Sequence, residues 1–432
     1  MKLALLTLGT FGDVRPFLAL AYGLEERGHQ VTLAGPENFL GYVTETYKRP
    51  YAPIGLNSQQ VLESEEGRRW MAAGDSKQFL EAMARITHDK RFAIERDVAA
   101  ACADCDLIIS HPLLLFYAAI LSEKLNKPLM LANPFPVTPA TSAFPHFLAT
   151  TKPLPFGFLN KFSYRLVNRV YEKSVRGDMN EWRSKLGGLA PLRGILYDKL
   201  ERQGVPILQA FSRELVPPPN DWSSRVYITG AWKIPQRYLP EEEKAALPDD
   251  LNAWLQEGPP PIYFGFGSLP VLEPRKMVQL ALEAAAHAGT RALIASGWSV
   301  LELGAEQLPN SVRLIRYASH EQLFPSCSLI VHHGGAGTTH TALESGTPSI
   351  ICSTYADQPF WGERVAALGV GAHLPFSRLT QDRLLESIRK LQTSAVQQQA
   401  LDVARRIRME TGLANALDVV ERHLATAPVY RN

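Results

Sequence analysis

Cysteine is scarce in this chain of 432 residues, and so is any excess of charge of one sign. Four cysteines are too few for a disulfide framework in a chain this long, and they suit the reducing cytoplasm. Lysine and arginine number 45 and aspartate and glutamate 43, so the chain lacks the basic excess typical of nucleic-acid binding. With 46% hydrophobic and 20% charged residues, the composition indicates a globular protein and excludes disorder and fibrous repeats.

Long apolar runs are also missing. The most apolar stretch, residues 107–121, is interrupted by His111 and Pro112 and is too short to cross a bilayer. The run 3–8 after the N-terminal methionine is too short for a signal peptide and has no cleavage site with small residues. We therefore expect a cytoplasmic protein without a transmembrane segment, which could still touch a membrane surface.

Short apolar runs alternate with amphipathic helical patterns, as in parallel sheets covered by helices on both faces. We predict strands at 2–8, 30–34, 107–110, 128–132, 261–266, 291–295, 329–332 and 349–352. The proline-rich segment 215–224 is predicted to be a linker. The sequence thus predicts an α/β protein of two Rossmann-like, doubly wound parallel-sheet domains facing each other across a cleft. They span residues 1–214 and 225–410, and a last helix within 411–432 could pack back on the first domain.

The glycine-rich segment HHGGAGTT, residues 332–339, falls between a predicted strand and a predicted helix. Glycine lets a backbone approach a ligand closely, and the start of a helix presents free N–H groups and a positive dipole end. The segment therefore favours binding of a diphosphate, with a histidine as an extra donor. A tight packing turn without a ligand would use the same glycines. The segment is neither a Walker loop nor a G-x-G-x-x-G fingerprint.

The turn after strand 349–352 carries Asp357 and Gln358, whose carboxylate and amide suit the hydroxyl groups of a sugar. Trp361 follows and is expected to form an apolar wall of the site. A purely structural role is also open for Asp357, because it could cap the helix that begins near Pro359.

Asp13 lies in the segment GDVRP, where the first strand gives way to the first helix. It could act as the N-cap of that helix or as a general base, since aspartate is ordinarily ionised at neutral pH. His111 ends the strand 107–110 at the same edge, where it could orient Asp13, line an acceptor pocket or simply be half-buried. The D-x-D at Asp104 and Asp106 precedes that strand, away from the binding edge, so we expect no metal site there.

Residues 317–365 resemble the donor-binding signature of the family 1 glycosyltransferases, the UDP-glycosyltransferase superfamily with the GT-B fold. Both HHGGAGTT and the D-Q-P at 357–359 are typical of its sterol glucosyltransferase-like and antibiotic glycosyltransferase branches. Further landmarks stand in the family's order, namely GTFGD at 9–13, TGAW at 229–232 and FGS at 266–268. The resemblance therefore covers nearly the whole chain and is least evident between residues 134 and 200.

The resemblance implies a role for each matching position. His333 would bind a donor phosphate, with His332 ending the strand before it, and Asp357 and Gln358 would bind the sugar. The other donor-binding positions would be Thr10, Ser268, Tyr317, Ala318, Gly334, Gly335, Gly337, Thr338 and Thr339. On the acceptor side we expect Phe11, His111, Phe135, Phe144 and Trp361. The sequence departs from plant members at Tyr317, where they carry tryptophan, and at Thr341, where they carry a ribose-binding glutamate.

The resemblance also implies an activity, an inverting O-glycosyl transfer with Asp13 as the general base and no metal cofactor. His333 and the amides of 337–339 would stabilise the leaving diphosphate. UDP-glucose is the expected donor and a dTDP-deoxysugar the alternative. The acceptor would be an apolar molecule such as a sterol, polyphenol, polyketide or hydroxylated lipid.

Two alternatives of another class are a nucleotide-sugar epimerase and a non-catalytic sugar-nucleotide binder. The aromatic loop 144–158 disfavours the epimerase and Asp13 the binder. Basic residues near that loop could instead rest on a membrane, namely Lys152, Lys161, Arg165 and Arg169.

Overall fold

Two parallel sheets, one for each half of the chain, organise the structure. The computed structural model describes residues 1–74, 76–265, 274–287, 289–295 and 308–426. Within these residues the first sheet has seven strands, in the order β3-β2-β1-β4-β5-β6-β7. They are β1 (Lys2–Leu6), β2 (Gln30–Pro36), β3 (Ala52–Ile54), β4 (Leu107–Ser110), β5 (Leu129–Asn133), β6 (Ile207–Gln209) and β7 (Val226–Ile228).

The second sheet has six strands within the described residues, in the order β10-β9-β8-β11-β12-β13. They are β8 (Ile262–Gly265), β9 (Ala292–Ala295), β10 (Val312–Ile315), β11 (Leu329–His332), β12 (Ser349–Ile351) and β13 (Gly371–His373). Both sheets follow the doubly wound order in which the first strand lies at the centre, so ligands are expected at the carboxyl ends of the central strands. The predicted fold class of two Rossmann-like parallel-sheet domains is confirmed.

Helices cover both faces of each sheet, which is why strands such as β4 and β5 are buried throughout. In the first half they are α1 (Phe11–Glu26), α2 (Ser58–Glu63), α3 (Glu65–Ala73), α4 (Ser76–Cys102), α5 (Leu115–Leu125), α6 (Gly157–Leu186) and α7 (Leu196–Arg202). In the second half they are α8 (Glu241–Lys244), α9 (Asp249–Gln256), α10 (Pro274–His287), α11 (His320–Leu323), α12 (Ala336–Ser345), α13 (Gln358–Ala367), α14 (Gln381–Leu391), α15 (Ser394–Arg408) and α16 (Gly412–Thr426).

The domain boundary lies later than the sequence predicts. Strand β7 follows the proline-rich segment 215–224, yet it pairs in parallel with β6 and completes the first sheet. That segment therefore connects two strands of one sheet, and the second domain does not begin at residue 225. Prolines suit such a connection because they break the ladder at the end of a strand.

The last helix, α16, returns to the first domain and packs against α1. A Cβ added at Gly23 of α1 would lie 2.6 Å from the Leu417 Cδ1 atom, so only glycine allows this close approach. Leu417 and Val420 belong to the same buried cluster as Phe17 of the first domain. The chain thus passes between the domains twice.

Polar contacts join the two domains near both points where the chain crosses between them. At the first, Glu243 Oε2 accepts a hydrogen bond of 2.6 Å from Arg15 Nη2 of α1, and Gln322 Nε2 donates to the Lys244 carbonyl oxygen at 3.2 Å. At the second, Glu410 Oε1 accepts from the Ser212 hydroxyl at 2.9 Å. The facing surfaces also share an apolar cluster, in which the Phe144 and Phe360 rings lie 5.5 Å apart.

Candidate active site

Asp13 lies at the start of α1, at the carboxyl edge of the first sheet. Its Oδ2 atom accepts hydrogen bonds from the Thr10 N–H at 2.7 Å and from the Thr10 hydroxyl at 3.0 Å. Thr10 is the N-cap residue and Asp13 the third helical residue, so the predicted N-cap role of Asp13 is wrong. Gly9 has a φ of +126°, and a Cβ there would lie 2.3 Å from Asp13 Oδ2. Only glycine therefore lets the backbone turn beneath this carboxylate.

His111 directly follows β4, beside Asp13, and is fully buried. Its Nδ1 accepts a hydrogen bond of 3.3 Å from the Leu113 N–H, which assigns the ring proton to Nε2. That Nε2 lies 3.4 Å from Asp13 Oδ1. The rings of Phe17 and Phe135 hold the imidazole edge-on, with centroids 5.8 and 5.6 Å away. His111 is thus placed to orient the partly exposed Asp13 carboxylate.

The two histidines of the glycine loop are arranged differently. His332 is fully buried, and its Nδ1 accepts from the Gly334 N–H at 3.1 Å. The His333 ring lies over Gly335, where a Cβ would come within 2.6 Å of Nε2. His332 Nε2 and His333 Nδ1 are buried without a hydrogen-bond partner among the described residues. Orphaned polar atoms of this kind beside a helix start fit an anionic ligand.

Helix α12 presents its first amides at this loop. The first helical hydrogen bond runs from the Thr339 N–H to the Gly335 carbonyl oxygen at 2.9 Å. The amides of residues 336–338 precede it and have no acceptor within the helix. The Thr339 side chain is buried, and its hydroxyl donates to the same oxygen at 2.9 Å. The helix thus uses both donor groups of Thr339, whose donor-binding role stays a prediction. Gly334 is likewise used within the loop, and Gly337 faces open space.

His320 at the start of α11 lies near His332 and His333, and no motif or spacing in the sequence indicates this. Its ring stacks on Phe324 at 4.5 Å, and its Nε2 lies 3.0 Å from the Tyr263 hydroxyl. The pKa of His320 is lowered to about 4, chiefly by burial and also by the charge of nearby Arg15. Burial also lowers the pKa of His333 to about 4, and His320 adds to this effect. Histidines with pKa values lowered in this way are uncharged near neutral pH.

The turn with Asp357 faces Asp13 from the second domain. Asp357 Oδ2 accepts a 2.6 Å hydrogen bond from Trp361 Nε1. The pKa of Asp357 is raised to about 7, chiefly by burial; the hydrogen bond from the Trp361 N–H opposes this shift and the charge of Asp13 adds to it. Ala356 before it has a φ of +54°, a strained conformation that often marks functional turns. Asp357 occupies the N-cap position of α13, but its side chain makes no capping hydrogen bond there, and its sugar-binding role stays a prediction.

Gln358 is buried, and its Oε1 accepts from the Thr354 N–H and hydroxyl, each at 2.9 Å. Its amide nitrogen is thus the group that can meet a ligand. Trp361 and Phe144, which the sequence places on the acceptor side, are both buried in the interface between the domains, and their acceptor contacts stay predictions. Trp361 is fully buried and contacts Asp357 through the hydrogen bond from its indole N–H. The tryptophan ring packs edge-on against Phe211 at 5.8 Å.

Other predicted residues lie around this cleft. Phe11 is half-buried, with its ring 4.9 Å from that of Tyr42, and Phe135 is half-buried against His111. Tyr317 is 62% exposed, and its pKa is raised to about 12 by burial of its hydroxyl and by the charge of Glu243. Ala318 is buried, so its side chain meets the core. Ser268 and the motif at 266–268 lie outside the described residues.

The D-x-D lies at the opposite edge of the first sheet. Lys2 forms an ion pair with Asp104, and Asp106 Oδ2 accepts from the Lys2 N–H at 2.9 Å. These carboxylates are thus held by the start of β1, away from the cleft.

Comparison with known proteins decides the family. The family model described as "Glycosyltransferase family 28 N-terminal domain" matches residues 3–144. The model described as "Erythromycin biosynthesis protein CIII-like, C-terminal domain" matches residues 299–414. Sterol 3-beta-glucosyltransferase UGT80B1 of Arabidopsis thaliana is 33% identical over 98% of this chain and 68% of its own length. The chain belongs to the family 1 glycosyltransferases. A sterol 3-beta-glucosyltransferase of Cryptococcus neoformans is 30% identical over 99% of this chain, but the match spans only 27% of that relative's length.

Solved structures place this glycosyltransferase in the GT-B fold. The calicheamicin glycosyltransferase CalG4 superposes with a TM-score of 0.70 at 18% identity, covering 99% of each chain. The glycotransferase of kitacinnamycin does so with a TM-score of 0.65 at 20% identity, over 98% of this chain and 99% of its own. The family and fold that the motifs predict are therefore confirmed. Among the described helices of this glycosyltransferase, none is both long and apolar enough to cross a membrane.

Proposed function

We propose that this enzyme transfers a hexose, glucose from UDP-glucose, to the hydroxyl group of a sterol-like apolar acceptor with inversion. The observation that carries the proposal is the pairing of Asp13 with His111 opposite Asp357 of the second domain. Relatives named as sterol 3-beta-glucosyltransferases support the acceptor class. The half-buried rings of Phe11 and Phe135 next to the proposed base also suit an apolar acceptor.

The Asp13 carboxylate takes the proton of the acceptor hydroxyl in this reaction. The acceptor oxygen forms a bond to the anomeric carbon while the bond to the diphosphate oxygen breaks, and the electron pair leaves with UDP. A single displacement from the opposite side inverts the anomeric centre. Thr10 holds one carboxylate oxygen and His111 faces the other, so the base is oriented before the acceptor binds.

The donor diphosphate lies at the start of α12 in this proposal. Amides of residues 336–338 and the neutral His333 ring stabilise the charge that develops on the leaving group, so no metal is required. Asp357 and the amide nitrogen of Gln358 bind the sugar hydroxyls. The proposed cytoplasmic location agrees with the four cysteines, which are all unpaired.

The test is transfer from radiolabelled UDP-glucose and dTDP-glucose to cholesterol dispersed in detergent. We expect a β-linked product from UDP-glucose and a loss of about 10²- to 10⁴-fold in kcat for Asp13→Asn. Asp104→Asn is the matched control, because that carboxylate is 83% exposed at the opposite edge of the sheet. An α-linked product, or full activity of Asp13→Asn, would overturn the mechanism. Transfer from dTDP-glucose alone would replace the donor, and conversion of UDP-glucose without an acceptor would indicate an epimerase.

A further inference from the structure

The outer face of helix α6 carries a line of exposed apolar side chains. Phe158, Phe162, Leu166 and Val170 are 68%, 58%, 51% and 51% exposed, and each follows the last by four residues. Side chains at this spacing lie on one side of a helix, here over about 18 Å. Phe156, which is 59% exposed, extends the line by stacking on Phe158 with the ring centroids 5.8 Å apart.

A second line, of basic side chains, runs beside the apolar one. Its exposed members are Lys161, Arg165, Arg169 and Lys173, again four residues apart. Lys161 pairs with Asp221 at 3.0 Å. The other three side chains make no hydrogen bond or ion pair with any residue that the structure describes. Between residues 134 and 171 the chain also has no aspartate or glutamate, so this stretch carries a net positive charge.

We propose that the outer face of α6 docks on the surface of a membrane that contains anionic lipids. An apolar line flanked by cations fits the boundary between acyl chains and negative headgroups. A second copy of the same chain fits less well, because a symmetric contact would bring the unpaired arginines of both copies together. This inference goes beyond the proposed function and does not depend on it.

The inner face of the same helix leads to the cleft. The ring of His111 contacts Phe135, and Phe135 contacts Phe147 at 5.7 Å. Phe147 stacks on His146 at 4.9 Å, and His146 packs edge-on against Tyr164 of α6 at 5.1 Å. Docking of the outer face would therefore hold the acceptor side of the cleft close to the lipid surface.

The experiment is co-sedimentation of the full chain, without nucleotide or acceptor. The vesicles contain phosphatidylcholine alone or phosphatidylcholine mixed with phosphatidylglycerol. We expect binding to the mixed vesicles, weakened about 25-fold in Arg165→Gln/Arg169→Gln, since each cation near an anionic surface contributes about fivefold. Phe158→Gln/Phe162→Gln should weaken binding tenfold or more. The matched controls are Arg389→Gln and Met409→Gln, both exposed residues of the second half of the chain, and they should bind as the wild type.

All substituted side chains are exposed, so the melting temperature should not change in any variant. Absence of sedimentation with the mixed vesicles, or binding that neither double variant weakens, would overturn the proposal. So would a dimer in sedimentation velocity that Phe158→Gln/Phe162→Gln converts to monomer without any vesicle binding. Transfer to a detergent-dispersed acceptor should persist in both double variants. Lost transfer with intact vesicle binding would therefore count against the proposed function alone.

Discussion

Replacing Trp361 by phenylalanine should change the pH dependence of donor binding. The change removes the indole N–H that donates to Asp357 Oδ2 at 2.6 Å, while an aromatic ring stays in the same buried site. That N–H lowers the pKa of Asp357, which burial raises to about 7, so its loss raises the pKa further. A hydrogen bond to a charged group contributes about 1.5–3 kcal/mol. At about 1.4 kcal/mol per pH unit, the pKa should rise by about one to two units.

The assay is calorimetric binding of UDP-glucose between pH 6 and about pH 9, because the proposed sugar contact requires the carboxylate. Affinity of the wild type should fall below about pH 7, and that of the variant should begin to fall one to two units higher. Trp254→Phe is the matched control, since its indole N–H donates at 3.1 Å to a neutral acceptor, the Asn310 carbonyl oxygen. The same pH profile in wild type and variant, or an equal shift in the control, would refute the reasoning.

Three further substitutions test other parts of the site. His111→Gln should lower kcat about tenfold to a hundredfold with little change in KM, because it disturbs the orientation of the base; an effect on KM alone would contradict this role. Gly335→Ala should weaken UDP binding at least about tenfold in calorimetry, since a Cβ 2.6 Å from Nε2 must displace the His333 ring, whereas Gly177→Ala, with open space around it, should not. In the folded protein, burial lowers the pKa of His340 to about 4. Between about pH 6.5 and about pH 4 the unfolded chain therefore binds a proton that the folded protein does not, so acidification favours unfolding. The wild type should lose up to about 3 kcal/mol of stability to urea across that range, and His340→Gln should lose less; equal losses would argue against the linkage.

The fold could be predicted where burial decides the structure. The strands at 107–110 and 329–332 lie where the sequence predicts them, because each is a short apolar run buried on both faces. The sequence pattern does not predict helix α6, although this helix has 30 residues. Its exposed side carries Phe158, Phe162 and Leu166, so apolar residues occur on both sides of the helix and the usual periodicity is hidden.

The site could be predicted where a motif fixes the backbone, and not where side-chain direction decides. Asp13 and His111 meet because both follow central strands of one sheet. The burial of Trp361 depends on how the domains pack, which no local pattern contains. Thr339 lies one residue too far into α12 to offer a free amide, and that offset becomes visible only once the helix start is known.

The two passages of the chain between the domains have a mechanical consequence. One is held where Glu243 binds Arg15, and the other where Glu410 binds Ser212. Contacts at two separate points favour a rotation about the line that joins them, and such a rotation would also shift the shared apolar cluster around Phe144 and Phe360. It would open and close the cleft while each half of the site keeps its own geometry. Such a rotation would change the distance between Asp13 and the Asp357 turn. The open position would then admit the substrates, and the closed position would align them for reaction.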